Sequence, residues 1–193
     1  MKGRGYAIFD TAIGRCGVAW SDAGILGVQL PEAREIDTRR RLYRLYPEAR
    51  ELPPPPNVGR AIEGLMAALR GQACDLSDVT LDLEDIPPFS RRVYDCVRAI
   101  LRGETRTHSE IASSLRASGA LNSVAQAIAK NPFVIIVPCH RVLETAGDYA
   151  DRMSPFGGTI SKRHLLSIEG VRPTAGKTLF DALLPVAPQR PHP

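Results

Sequence analysis

The spacing of hydrophobic and polar positions changes several times along the chain, and each change marks an element. Residues 6–9, 17–20 and 25–30 are β-favouring runs, separated by residues 11–14 and by Ser21-Asp22-Ala23-Gly24, a turn signal. They predict three strands joined by tight turns. An arginine-rich helix over about residues 38–46 follows. Pro53-Pro54-Pro55-Pro56 suits neither a helix interior nor an inner strand and predicts an extended connector. Ile62, Leu65, Met66 and Leu69 recur at i, i+3, i+4 and i+7, so residues 58–69 predict an amphipathic helix capped by Asn57 and stopped by Gly71. Alternation over residues 79–83 predicts a half-buried strand, and residues 84–88 a linker into a second unit.

That unit opens with a helix over residues 89–101, whose apolar positions are Val93, Val97 and Ile100. A short helix near residues 109–115, a break at Ser118-Gly119 and a helix over residues 120–130 come next. Leu121, Val124 and Ile128 form the expected buried stripe of that last helix, leaving Asn122, Gln126 and Ala129 towards its outer face. Two short helices about a glycine-containing turn suit a helix-turn-helix, but the pattern alone suits two packed helices that touch no nucleic acid even better. Residues 133–137 are continuously apolar and predict a buried strand or extended segment ended by Pro138. A final helix spans residues 161–169 and stops at Gly170. Residues 185–193 hold four prolines and predict a loose tail.

Composition narrows the class. With 193 residues, 44% hydrophobic and 24% charged, the chain has enough material for one large or two small domains, and wholesale disorder is excluded. No apolar run approaches the roughly 20 residues of a membrane helix, and the opening MKGRGYAIFD carries no secretory stretch. The expectation is a soluble, cytoplasmic protein. Charge is uneven: residues 1–85 hold 11 Lys and Arg against 13 Asp and Glu, a net of −2, whereas residues 86–193 hold 14 against 8, a net of +6. A basic second half suits a phosphate-rich partner, though only weakly. Cys16, Cys74, Cys96 and Cys139 show no C-x-x-C spacing, so no metal site is expected and the thiols are read as reduced.

Cys139 stands apart. It follows five apolar residues and a proline, in Ile135-Ile136-Val137-Pro138-Cys139-His140-Arg141-Val142. A thiol where a core segment turns, beside two basic side chains, is expected to have a lowered pKa and a raised thiolate fraction. The alternative is a buried structural cysteine next to a solvent-facing His-Arg pair.

This string, with Asn131-Pro132 before it, Gly157-Gly158 after it, and Leu165-Leu166 leading to Glu169-Gly170, resembles the O6-alkylguanine-DNA alkyltransferases, the methylated-DNA–protein-cysteine methyltransferases. The resemblance is strongest over residues 89–171 and looser over Gly14-Arg15-Cys16-Gly17-Val18-Ala19-Trp20. It implies an α+β chain with an N-terminal domain (residues 1–85; antiparallel sheet and helices, RNase H-like) that is mainly structural. A mostly helical DNA-binding and acceptor domain follows (residues 86–175; helix-turn-helix, winged-helix-like), then a proline-rich tail (residues 176–193). It further implies a monomer, acting without a cofactor, that binds double-stranded DNA through the minor groove, flips an O6-alkylguanine into a pocket and takes the alkyl group irreversibly onto Cys139. His140 would be the base that receives the thiol proton, Glu169 its orienting partner, and Asn131 the residue that fixes the segment. DNA contacts fall to Asn122, His108, Ser123, Gln126 and Arg141, and the substrate pocket to Val142, Pro155, Phe156, Gly157 and Gly158.

Three positions depart from the family pattern. Asn122 stands where the family carries the arginine that replaces the flipped base. His108 stands where it carries a tyrosine, and would meet phosphate best if protonated. Pro155-Phe156 replaces Tyr-(Ser or Ala) before the paired glycines, which lie about three residues farther from Cys139 than is usual. These changes alter the base-flipping and pocket parts while the chemical core survives, so the leading reading is a working alkyltransferase with a modified flipping device. The alternative is a damage-binding module that repairs poorly, against which Cys139 itself argues. A thiol hydrolase unrelated to DNA would require an oxyanion site that the sequence does not show.

Overall fold

The three opening strands form where the β-favouring runs and turn signals predict them. In a computed structural model, which describes residues 3–144, 155–158 and 160–171, β1 (Gly5–Thr11), β2 (Gly14–Ser21) and β3 (Gly24–Gln29) make an antiparallel meander. A short strand β4 (Arg50–Glu51) joins parallel to β1, giving the order β3-β2-β1-β4. One edge of the sheet is therefore β3. Helix α1 (Glu35–Leu45) lies between, with Thr38 and Leu42 buried. Surface ion pairs flank it, Arg34 before the helix with Asp37 and Arg39 with Glu35 and Glu51, and each adds little stability.

Helix α2 (Pro56–Leu69) buries Val58, Ile62, Leu65 and Leu69, and Gly71 ends it at φ +78°. Asn57 is not its cap. The cap is Pro55, and Pro56 fills the first helical position, where a missing N–H costs nothing. Residues 79–83 do not form a strand: the contact is one isolated bridge between Leu81 and Ile25, in which the Ile25 amide donates to the Thr80 carbonyl and the Ile25 carbonyl accepts from the Asp82 amide.

Helix α3 (Pro88–Arg98) ends three residues before the expected boundary. A short strand β5 (Arg106–Thr107) leads into α4 (His108–Ser114). Thr107 caps α4 with a reciprocal box: its hydroxyl accepts from the Glu110 amide at 3.2 Å, and the Thr107 amide donates to the Glu110 carboxylate at 2.6 Å. Such a cap contributes about 1 kcal/mol. A 3-10 turn (Ser118–Ala120) separates α4 from α5 (Leu121–Ala129). The buried stripe of α5 is Val124, Ala127 and Ile128; Leu121, expected inside, is 45% exposed. Strand β6 (Val142–Leu143) pairs parallel with β5, and α6 (Lys162–Ile168) closes the described chain, capped by Ser161. The architecture is α+β, with an antiparallel sheet first and mostly helices after. Among the described residues one hydrophobic core joins Val18 and Val28 of the sheet and Leu30 just after it to Leu65, Val93, Val124 and residues 133–137. The proline-rich tail lies outside the described residues. Among those described, no helix is long and apolar enough to cross a membrane.

Candidate active site

Asn131 builds the segment that carries Cys139. Its side chain is fully buried; Nδ2 donates to the Val137 carbonyl at 2.9 Å, and Oδ1 accepts from the Phe133 amide at 2.9 Å. The Val137 amide donates to the Phe133 carbonyl at 2.7 Å. Residues 133–137 are buried as expected, but they make a tight loop and not a strand. Ile135 sits at φ +73°, a left-handed conformation that a β-branched residue adopts only when its surroundings force it. The loop delivers Cys139 to the start of a 3-10 turn (Cys139–Arg141) packed against α6.

Cys139 is 1% exposed. The expected lowering of its pKa does not hold. Burial pushes the thiol up, and the Asn131 amide, the Lys162 charge and local backbone amides oppose this without overcoming it. Arg141, counted in the sequence as an activating neighbour and a DNA contact, is turned inward. Its Nε and Nη2 donate to Glu169 at 3.0 and 2.7 Å, and its Nη1 to the Ile100 carbonyl at 2.6 Å.

His140 is 2% exposed, and its Nε2 lies 2.8 Å from Glu169 Oε1. A carboxylate only accepts, so Nε2 carries the hydrogen and Nδ1 the lone pair. Nδ1 is buried and has no hydrogen-bond partner among the described residues. Burial lowers the pKa of His140 more than the Glu169 charge raises it, so the ring is neutral at pH 7. Burial alone would raise the Glu169 carboxyl; hydrogen bonds and charge from His140 and Arg141 outweigh that and hold it at about 2. The arrangement is a buried thiol beside a neutral imidazole whose tautomer is fixed by an ionised carboxylate.

Lys162 is the residue that sequence reasoning missed. It is 7% exposed, its Nζ donates to the Val142 carbonyl at 2.9 Å, and its charge acts on Cys139, His140 and His108 alike. The signal was present: Lys162 stands three and four residues before the buried Leu165 and Leu166, on the inward face of α6.

Of the other expected residues, Asn122, Ser123 and Gln126 are exposed on α5. His108 begins α4, half-buried, with Nε2 unpartnered among the described residues. Burial first and Lys162 second depress its pKa, against a weaker pull from Glu144, so a protonated phosphate contact is not what this environment favours. Val142 is wholly buried and paired with Arg106 through β6. Pro155, Phe156 and Gly157 form a 3-10 turn, with Gly158 next. A cavity of about 530 Å³ opens elsewhere, on the side of the acceptor loop lined by Cys74, Arg102, Ile136, Pro138 and Glu169. Neither Cys139 nor the turn at Phe156 lines it, so it is not the place where an alkyl group would meet the thiol.

The family model for the DNA-binding domain of 6-O-methylguanine DNA methyltransferase matches residues 88–171. Over 155 residues the chain is 33% identical to the methylated-DNA–protein-cysteine methyltransferase of Methanothermobacter thermautotrophicus, spanning 80% of this chain and 79% of that one. The chain belongs to the methylated-DNA–protein-cysteine methyltransferase family. A further member, from Mycobacterium tuberculosis, is 39% identical over 145 residues, covering 74% of this chain and 84% of its own. The crystal structure of M. tuberculosis OGT in complex with DNA superposes with a TM-score of 0.67 at 30% identity, over 85% of this chain and 91% of that one. In this chain Cys139 and His140 are buried, and His140 is bonded to the half-buried Glu169.

Proposed function

We propose that the protein repairs O6-alkylguanine in duplex DNA by moving the alkyl group once, irreversibly, onto Cys139. The observation that carries this reading is the open Nδ1 of His140, opposite the Nε2 that Glu169 holds at 2.8 Å. A thiol that burial keeps protonated needs a base, and Nδ1 is a lone pair fixed for that task. His140 takes the S–H proton as sulfur attacks the alkyl carbon. The carbon–O6 bond breaks, its electron pair passes to O6, and guanine leaves after taking up a proton. The product is a thioether, so one molecule repairs one lesion. Lys162 stabilises the thiolate as it forms, and Asn131 keeps the loop that presents it.

The exposed Asn122, Ser123 and Gln126 of α5 are read as the minor-groove face, with His108 at the entrance to the pocket formed by Phe156, Gly157 and Gly158. We take residues 1–85 as a mainly structural domain and residues 86–175 as the part that binds DNA and accepts the alkyl group; the family match over residues 88–171 supports the division. We read the protein as cytoplasmic, with a bacterial cell as the default. Intact mass after incubation with an O6-methylguanine duplex tests the proposal. A stoichiometric gain of one methylene is expected, absent with undamaged DNA and in Cys139→Ala. Binding of the lesion without any mass gain, for methyl and larger substituents alike, would replace repair by damage recognition.

A further inference from the structure

β3 is the edge strand of the sheet, and an edge strand leaves alternate backbone groups needing partners. Three separate segments supply them. The Ile25 amide donates to the Thr80 carbonyl at 2.9 Å, the Val28 amide to the Pro132 carbonyl at 2.8 Å, and the Leu30 amide to the Phe156 carbonyl at 2.8 Å. Val28 also bridges Phe133 in parallel fashion. The last two partners belong to the segments to which the proposed function assigns acceptor and substrate: Pro132 leads into the loop that delivers Cys139, and Phe156 lies in the turn read as part of the substrate pocket. Gly158 follows that turn at φ +57°, so close to the strand that a Cβ there would meet the Pro31 carbonyl oxygen at 2.2 Å.

Gln29 lies between the two anchor points. It is fully buried, its Nε2 donates to the Leu30 carbonyl at 2.9 Å and reaches Glu32 Oε1 at 3.5 Å. Glu32 in turn faces Arg41 of α1 at 3.6 Å. A side-chain amide buried at the end of a strand, tied to the backbone of the next residue, fixes how that residue leaves the sheet.

We infer that the free edge of β3 is the spacer of the active site, setting the distance between the acceptor loop and the substrate turn, with Gln29 as its positioning residue. Val28 and Leu30 present amides two residues apart, about 7 Å along an extended strand, and a rigid sheet holds that interval more closely than a loop does. The N-terminal sheet thereby takes part in substrate binding without touching the reacting atoms. The functional arm of the test rests on the alkyl transfer proposed above; the structural arm does not.

Transfer from the free base O6-benzylguanine to Cys139, followed by intact mass at rising concentration, separates the half-saturating concentration from the limiting rate. Gln29→Met keeps the volume and removes the Nε2 donor. The half-saturating concentration is expected to rise about tenfold, with the limiting rate within about twofold. A variant with both values unchanged overturns the inference, whereas absence of transfer in the unaltered protein overturns the proposed function instead. Amide exchange supplies the second arm and needs no reaction. In Cys139→Ala, saturating O6-benzylguanine is expected to slow exchange at the Leu30 amide about tenfold and leave Val18 unchanged. Equal exchange at Leu30 with and without the base overturns the inference even if Gln29→Met fails to fold.

Discussion

Replacing Glu169 by glutamine keeps the shape of the side chain and removes its charge. The carboxyl titrates at about 2 in place of 4.5 because His140 and Arg141 bond its ionised form. A shift of that size corresponds to about 3 kcal/mol of folding stability at neutral pH. The side chain is 11% exposed, so solvent screens it partly and about 2–3 kcal/mol is the working figure. For a chain of this length each kcal/mol moves the midpoint by about 2–4 °C, so Glu169→Gln is expected to melt about 5–10 °C lower at pH 7. The folded pKa is depressed, so the contribution is complete above 4.5 and is lost as pH falls through about 2. Circular-dichroism melts of both proteins at pH 7, 5 and 3 measure the gap, which should be equal at the first two and smaller at the third. An equal gap at all three would mean that packing and not charge holds this corner together.

Other expectations follow from the same site. With His140 as base, the transfer rate should be level above its depressed pKa, which lies below the ordinary 6.5, and His140→Asn should restore a dependence on pH because the raised thiol must then ionise unaided; stopped reactions between pH 6 and 9 read the two profiles. A methyl group on Cys139, which is 1% exposed, overfills a packed region and should cost about 1–3 kcal/mol, seen as a lower melting midpoint of the alkylated protein; an unchanged midpoint would show that the site has room. Asn131→Ala removes two buried hydrogen bonds at 2.9 Å and leaves the Phe133 amide and Val137 carbonyl with fewer partners, a loss of about 2–4 kcal/mol by urea unfolding. Asn122→Arg, on the exposed face of α5, should speed repair of duplex DNA several-fold at low salt and leave transfer from the free base unaltered.

What could be read from the sequence had a local cause. The opening strands are β-favouring runs between turn signals, α2 and α3 repeat at helical spacing, and the family resemblance pairs His140 with Glu169, which the fold brings within 2.8 Å. What could not be read depended on burial or on distant chain. Ile135 looks like a strand residue, yet it is left-handed in a loop that the Asn131 side chain and the Val137–Phe133 backbone bond close. Leu121 fits the stripe of α5 by period, yet it stands at the first position of the helix, beside the turn at Ser118–Ala120, and is 45% exposed among the described residues. The thiol was expected to be lowered by adjacent cations, but Arg141 is drawn to Glu169, 28 positions away, and burial decides the direction. Lys162 reads as a surface charge until the carbonyl of Val142 is found beside it.

The bonds along the edge of β3 have a kinetic consequence for the cell. They close loops from Val28 to Pro132 and from Leu30 to Phe156, so the reacting geometry is complete only after segments more than a hundred residues apart have met. Contacts of such separation slow folding, because chain entropy is lost before they repay it. An ordinary enzyme meets that delay once in its lifetime. A protein consumed by each lesion meets it for every base restored, and the supply of repair is then set by synthesis and maturation of new chains, however fast the thiol reacts.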